Sequence, residues 1–150
     1  MVTGQRLGEI CGLTPKEIAG DVWNIPGSRT KNGHPHSVPL TPMALDLIGA
    51  LPTRSQVSNF VMDHQFNLPN WTAHDLRRTM LTKLAELGVA PIVIGHIANH
   101  RTTTRAGITL GVYIQYAYDK EKREALELWA DRLKGIIGGG AKVVPIRGKL

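Results

Sequence analysis

The chain is poor in the residues that build covalent and stacked frameworks. Among its 150 residues there is one cysteine, Cys11, which excludes an internal disulfide and any cysteine-based zinc finger. Cys11 lies in an apolar helical pattern and is expected in the core. Aromatics make up 5% of the residues and do not interleave with the basic ones, which argues against a platform stacking single-stranded bases. Acidic residues are outnumbered, 12 against 18 lysines and arginines, and the net charge of +6 points to a polyanionic partner. No apolar run approaches membrane-spanning length, and no charged-then-apolar leader opens the chain. The expectation is therefore a soluble, intracellular protein with no membrane partner. There is no internal repeat, and Gly138 to Gly140 is the sole low-complexity tract.

What is present reads as one domain, mainly helical, with a small antiparallel sheet near the N-terminus (an α+β class). Thr3 to Cys11 is expected to form a short helix stopped by Gly12. Two strand-like runs, "DVWNIPGSRT" and "HPHSVPL", flank Lys31-Asn32-Gly33-His34, and Asn-Gly between such runs predicts a hairpin. Thr41-Pro42 opens a helix through Met43, Leu45, Leu47 and Ile48. Residues 52–71 are loop-rich, with Phe60, Val61 and Met62 as a short apolar anchor. A helix is expected over residues 72–87, another from Pro91 to about His100, and a long one with Leu126, Trp129, Leu133 and Ile136 on one face. "RTTTRAGITLG" reads as a mobile loop, and "KVVPI" as a strand-like tail. The chain thus divides into residues 1–137 and a glycine-rich linker and tail, 138–150. The first helix starts almost at Met1, as in a catalytic half cut from a longer protein.

The stretch "TAHDLRRTM", residues 72–80, concentrates the most chemistry. Thr72 with Asp75 three residues later is a capping-box signature. Leu76, Met80, Leu84 and Leu87 then predict an apolar stripe, and Gly88 a stop. His74 and Arg77 are three apart and share a face beside unpaired helix N–H groups, a seat for a phosphate oxygen with a base next to it. A solvated basic helix end is the plainer alternative. His96 and His100 lie four apart and could form a metal pair on a helix. The zinc-peptidase pattern, however, needs a glutamate where Ile97 stands. Asp63 and Asp75 are too isolated for a two-metal nuclease site. No cofactor or metal is expected.

Taken in order, "TGQRLGEI", "TKNGHPHSVPL", "HDLRRT" and "YIQYAYDKEKREALELWADRL" resemble the tyrosine recombinases, and most closely the phage and genomic-island integrases. The likeness runs from about residue 3 to residue 147. It implies the DNA breaking-rejoining catalytic-domain fold. It also implies site-specific cleavage and rejoining of double-stranded DNA through a 3′-phosphotyrosyl intermediate, without metal or ATP. By that resemblance Arg6 and Arg77 clamp the scissile phosphate, with Glu9 orienting Arg6. Lys31 protonates the leaving 5′ oxygen, His74 belongs to the His-x-x-Arg box, and His100 is the second histidine. The nucleophile comes from Tyr113, Tyr116 or Tyr118, and the resemblance favours Tyr113, although the gap from His100 is longer than the family's usual one. Arg29, Arg78, Arg101 and Arg105 are expected as DNA contacts.

The resemblance further implies a homotetramer on DNA that exchanges C-terminal tails, a monomer when alone, and a DNA-bending accessory protein. The setting it implies is the bacterial cytoplasm and nucleoid, in a prophage or other mobile element. Two alternatives share parts of this pattern: a catalytically incompetent DNA-binding remnant of an integrase, and a type IB topoisomerase-like enzyme.

Overall fold

A computed structural model describes residues 2–50, 72–100 and 116–138. These form a mainly helical structure around a three-stranded antiparallel sheet, order β1-β2-β3. The strands are β1 Ile18–Ala19, β2 Val22–Ile25 and β3 His36–Pro39, and the helices α1 Leu7–Cys11, α2 Pro42–Ala50, α3 Ala73–Glu86, α4 Pro91–Ile97 and α5 Asp119–Ile137. No helix among the described residues is long and apolar enough to cross a membrane.

The tight two-residue turn is at Gly20-Asp21, where Ala19 pairs with Val22 and Gly20 takes φ +61°. The predicted Asn-Gly hairpin is corrected: β2 and β3 are joined by the whole of residues 26–35, including a 3₁₀ turn at Gly27–Arg29. Pro26 and Pro35 flank this loop, and neither can donate to a ladder, so pairing stops before Asn-Gly is reached. Trp23 pairs with Val38 and Ile25 with His36. With a side-chain period of two, this puts Trp23, Ile25, Val38 and His36 on the buried face, while Asn24 and Ser37 bond each other outside.

Met80 and Leu84 of α3, Val93 and Ile97 of α4, and Ala125, Leu126 and Trp129 of α5 close the core over that face. The expected α3 stripe is rotated. Leu76 and Leu87 are exposed, and Arg77, 2% exposed, joins Met80 and Leu84 instead. On α5, Ile136 is likewise exposed, and Lys122, Ala125 and Ala130 are buried instead. Cys11 is half-buried, outside the core. The first helix begins at Leu7, not Thr3, because Gly4 sits at φ +67° with its backbone against Met80. A Cβ there would lie 2.9 Å from Met80 Sδ, so residues 3–5 run as an inserted segment ahead of the helix.

Candidate functional site

Arg6 caps α1. Its backbone N–H and its Nη1 both donate to the Glu9 carboxylate, at 3.0 and 3.2 Å. Glu9 is buried and Arg6 half-buried, so the carboxylate fixes the guanidinium from beneath. At the start of α3, Asp75 accepts from both the N–H and the hydroxyl of Thr72, at 2.8 and 2.7 Å. Those bonds, with Arg78 beside them, hold the Asp75 carboxyl below its ordinary pKa. This end of α3 presents His74 to solvent.

Arg77, expected from the resemblance to clamp a phosphate with Arg6, is buried and bonded to the backbone. Its Nη1 donates to the Gly4 carbonyl at 2.7 Å and its Nη2 to the Ala98 carbonyl at 2.5 Å. It therefore ties the N-terminal segment to the end of α4 through the middle of the molecule. Burial, and then the nearby Arg6 charge, push its pKa down to about 10, with Glu9 opposing.

The end of α4 is built by a cap. His100 N–H donates to Gly95 O and Asn99 N–H to His96 O, while Asn99 adopts φ +48°. This is the Schellman arrangement, in which a left-handed residue reverses the chain and satisfies the last carbonyls. The helix thus ends at Ile97, and His100 stands outside it, exposed. His96 and His100 are not a helical pair as the metal reading required, and His96 packs on Tyr118 with ring centroids 4.6 Å apart. Burial lowers the His100 pKa, and the charges of Arg77, Arg6 and His74 lower it further, so these four groups share one electrostatic field.

Lys31 is exposed in the β2–β3 loop, whose tip is fastened to the α4 cap. Asn32 Nδ2 donates to the backbone O and to Oδ1 of Asn99, both at 3.0 Å. Arg77 bonds Gly4 O, two residues before Arg6, and Ala98 O, two residues before His100, and so brings the segments that carry Arg6 and His100 to the helix that carries His74, with the Lys31 loop docked alongside. Arg78 is exposed and paired with Asp75.

Arg29, expected as a DNA contact, is committed internally instead. Its guanidinium bonds both Glu17 carboxylate oxygens, at 2.6 and 2.7 Å, and the carbonyls of Glu9 and Gly12. Burial works to raise the Glu17 pKa, but the Trp23 indole, the Thr14 N–H and Arg29 together hold it below the ordinary value. Arg29→Ala is expected to cost roughly 1.5–3 kcal/mol, as for other charged hydrogen bonds. Urea melts of the variant and the unaltered chain measure that loss.

Of the tyrosines, Tyr116 donates its hydroxyl to Glu121, and that bond raises its pKa, as do burial and the charges of Glu121 and Asp119. This is opposite to what an activated nucleophile needs. Tyr118 is packed between the rings of His96 and Tyr116. Tyr113, Arg101, Arg105, the Phe60–Met62 anchor and the tail from residue 139 lie outside the described residues.

Sequence reading missed Gln5, His36, Asn32, Asn99 and Lys122. Gln5 is 1% exposed, donates to the carbonyls of Thr3 and Ile97, and its Oε1 has no partner among the described residues. Lys122 is buried and donates to Ser37 O at 2.8 Å and pairs with Asp119. Of these, Asn99 alone carried a signal, as an asparagine just past an aliphatic helix. No family model, curated protein or solved structure matches this chain.

Proposed function

We propose that the chain is the catalytic part of a tyrosine-type site-specific DNA recombinase. The observation that carries this reading is the tie that Arg77 makes between the segments carrying Arg6 and His100, beside His74 on the same helix, with the Lys31 loop fastened next to them. A phosphodiester already bears charge, and in-line attack concentrates more on its non-bridging oxygens. Guanidinium groups match two such oxygens with a fixed fork. In the proposed reaction the Tyr113 oxygen bonds to phosphorus as the bond from phosphorus to the 5′ oxygen breaks. The tyrosine proton passes to His74 or His100, and Lys31 supplies a proton to the departing 5′ oxygen. A tyrosine hydroxyl, with a pKa near ~10, needs such a base. The lowered pKa of His100 keeps its imidazole neutral and able to accept. The phosphotyrosine conserves the bond energy, so another 5′ hydroxyl can reseal the strand without ATP.

The burial of Arg77 favours a second reading. With two nitrogens already spent on backbone carbonyls, it is a strut with little surface for a phosphate. A DNA-binding relative that cannot cleave would look the same. Denaturing-gel trapping on duplex DNA carrying the mobile element's junction separates the two, using the chain alone and joined to any upstream sequence its gene encodes. A covalent adduct that disappears in Tyr113→Phe is the expected result. DNA binding with no adduct in either form would overturn the recombinase and leave the binding protein.

A further inference from the structure

The chain closes two helices with the same cap but a different residue. At the end of α3, Gly88 takes φ +86°, its N–H donates to Ala85 O, and Val89 N–H donates to Leu84 O. At the end of α4 the bonds repeat one for one, yet the left-handed residue is Asn99. Glycine adopts that conformation without steric cost, and asparagine less readily. The Asn99 amide has a use that glycine could not supply. It accepts from Asn32 Nδ2 at 3.0 Å and donates to Asn32 Oδ1 at 3.3 Å, across 67 residues of sequence. The Asn99 backbone carbonyl adds a third bond.

The neighbours give this pair its significance. Asn32 follows Lys31, and Asn99 precedes His100. The loop holding Lys31 is also braced internally. The Thr30 hydroxyl lies 3.0 and 2.7 Å from the carbonyls of Gly27 and His34, and Asn32 Oδ1 accepts from His34 N–H at 3.2 Å. A Cβ on Gly27 would meet Gly33 O at 2.5 Å, so the two arms of the loop touch. A loop braced in this way moves as a unit, and fixing its tip fixes the stem of Lys31.

We propose that Asn32 and Asn99 form a clasp that positions Lys31 against the phosphate held beside His100, so that proton donor and base act on one group. This rests on the recombinase reading above. Both asparagines are positioning residues, acting through Lys31.

The test uses single-turnover cleavage of junction DNA by the 150-residue chain and by Asn32→Ala and Asn99→Gly. The scissile 5′ oxygen is intact in one substrate and replaced by sulfur in the other. A thiolate departs without a proton, so the sulfur substrate does not need Lys31. Adduct formation on ordinary DNA should fall about 10- to 100-fold in each variant, within the range of general acid catalysis. It should recover nearly fully on the sulfur substrate, and the double variant should be no worse than either single one. Asn99→Gly keeps the left-handed cap, so its melting temperature should hold. In the same variant, amide exchange at residues 30–34 should rise about tenfold, as expected for a lost local restraint.

Unimpaired cleavage by both variants overturns the clasp. So does a deficit of equal size on both substrates, which would mark a structural role. If the unaltered chain, alone or joined to any upstream sequence its gene encodes, forms no adduct on either substrate, the recombinase reading fails and the positioning role fails with it. Unchanged exchange at residues 30–34 would then show that the clasp restrains nothing.

Discussion

Arg77→Ala is expected to lower the stability of the folded chain by about 3–5 kcal/mol, the largest single-residue effect predicted here. Two buried backbone carbonyls, Gly4 O and Ala98 O, would lose their donor, and each unsatisfied group costs roughly 1–3 kcal/mol. The side chain is also among the largest that are fully buried, and truncation leaves a void that the packed helices cannot fully close. One term acts in the other direction. A guanidinium 2% exposed beside Arg6 is held against desolvation and repulsion, as its lowered pKa records, and removing the charge recovers part of that cost. Arg77→Met separates the contributions, since it keeps most of the volume and discards both the charge and the bonds. Urea melts should rank the unaltered chain above Met and Met above Ala. If Met equals or exceeds the unaltered chain, the carbonyl ties contribute nothing net. Arg77→Lys should fold, and on the recombinase proposal its adduct formation should fall by about 10²–10³, the usual cost of losing one preorganised donor.

The second large effect is a loss of stability in mild acid, and its source is His36. This ring is 8% exposed on the inner face of β3, with Nε2–H donating to Ile97 O at 3.2 Å. Burial, followed by the positive charges of Lys122 and Arg77, lowers its pKa from 6.5 to about 4, against the Ile97 bond and Glu9, which act to raise it. An unfolded chain titrates this histidine near 6.5, so between about pH 6.5 and 4 the unfolded state binds more protons than the folded one. Stability is then complete above the unfolded pKa and is lost as the pH falls through that window, by roughly 3 kcal/mol in all. His96 and His100, also lowered by burial first, add to the loss with the same sign. His36→Gln retains an N–H for Ile97 O and cannot titrate. Denaturation series at pH 7, 5.5 and 4.5 should show a steep fall for the unaltered chain and a much shallower one for the glutamine variant. Parallel slopes would mean that the histidine is already charged in the folded protein.

Both effects come from groups whose burial the sequence does not announce. The row Leu76, Met80, Leu84, Leu87 was legible as an amphipathic helix, and α3 forms over nearly the expected span, with Thr72 and Asp75 at one end and Gly88 at the other. The direction of its buried face was not legible. Periodicity locates an apolar stripe to within one residue row, and the neighbouring row prevailed because Arg77 reaches two carbonyls that belong to other segments. His36 likewise sits in an alternating strand whose phase was clear. Its environment depends on Lys122, 86 positions away, and on the end of α4.

What the sequence by itself determined is local: the class of the fold, the strands around Trp23 and Val38, the glycine stop at Gly88, and the charged start of α3. These follow from propensity, period and cap chemistry, which act within a few residues. Tertiary structure decided which of the charges are free. It turned Arg29 inward onto Glu17 and made Arg77 a tie. It also ended α4 at Ile97, so that His100 lies clear of the helix, and fastened the Lys31 loop to Asn99. A buried polar group must find a partner wherever the chain brings one, and those partners lie up to 92 residues away, as Ile97 does from Gln5.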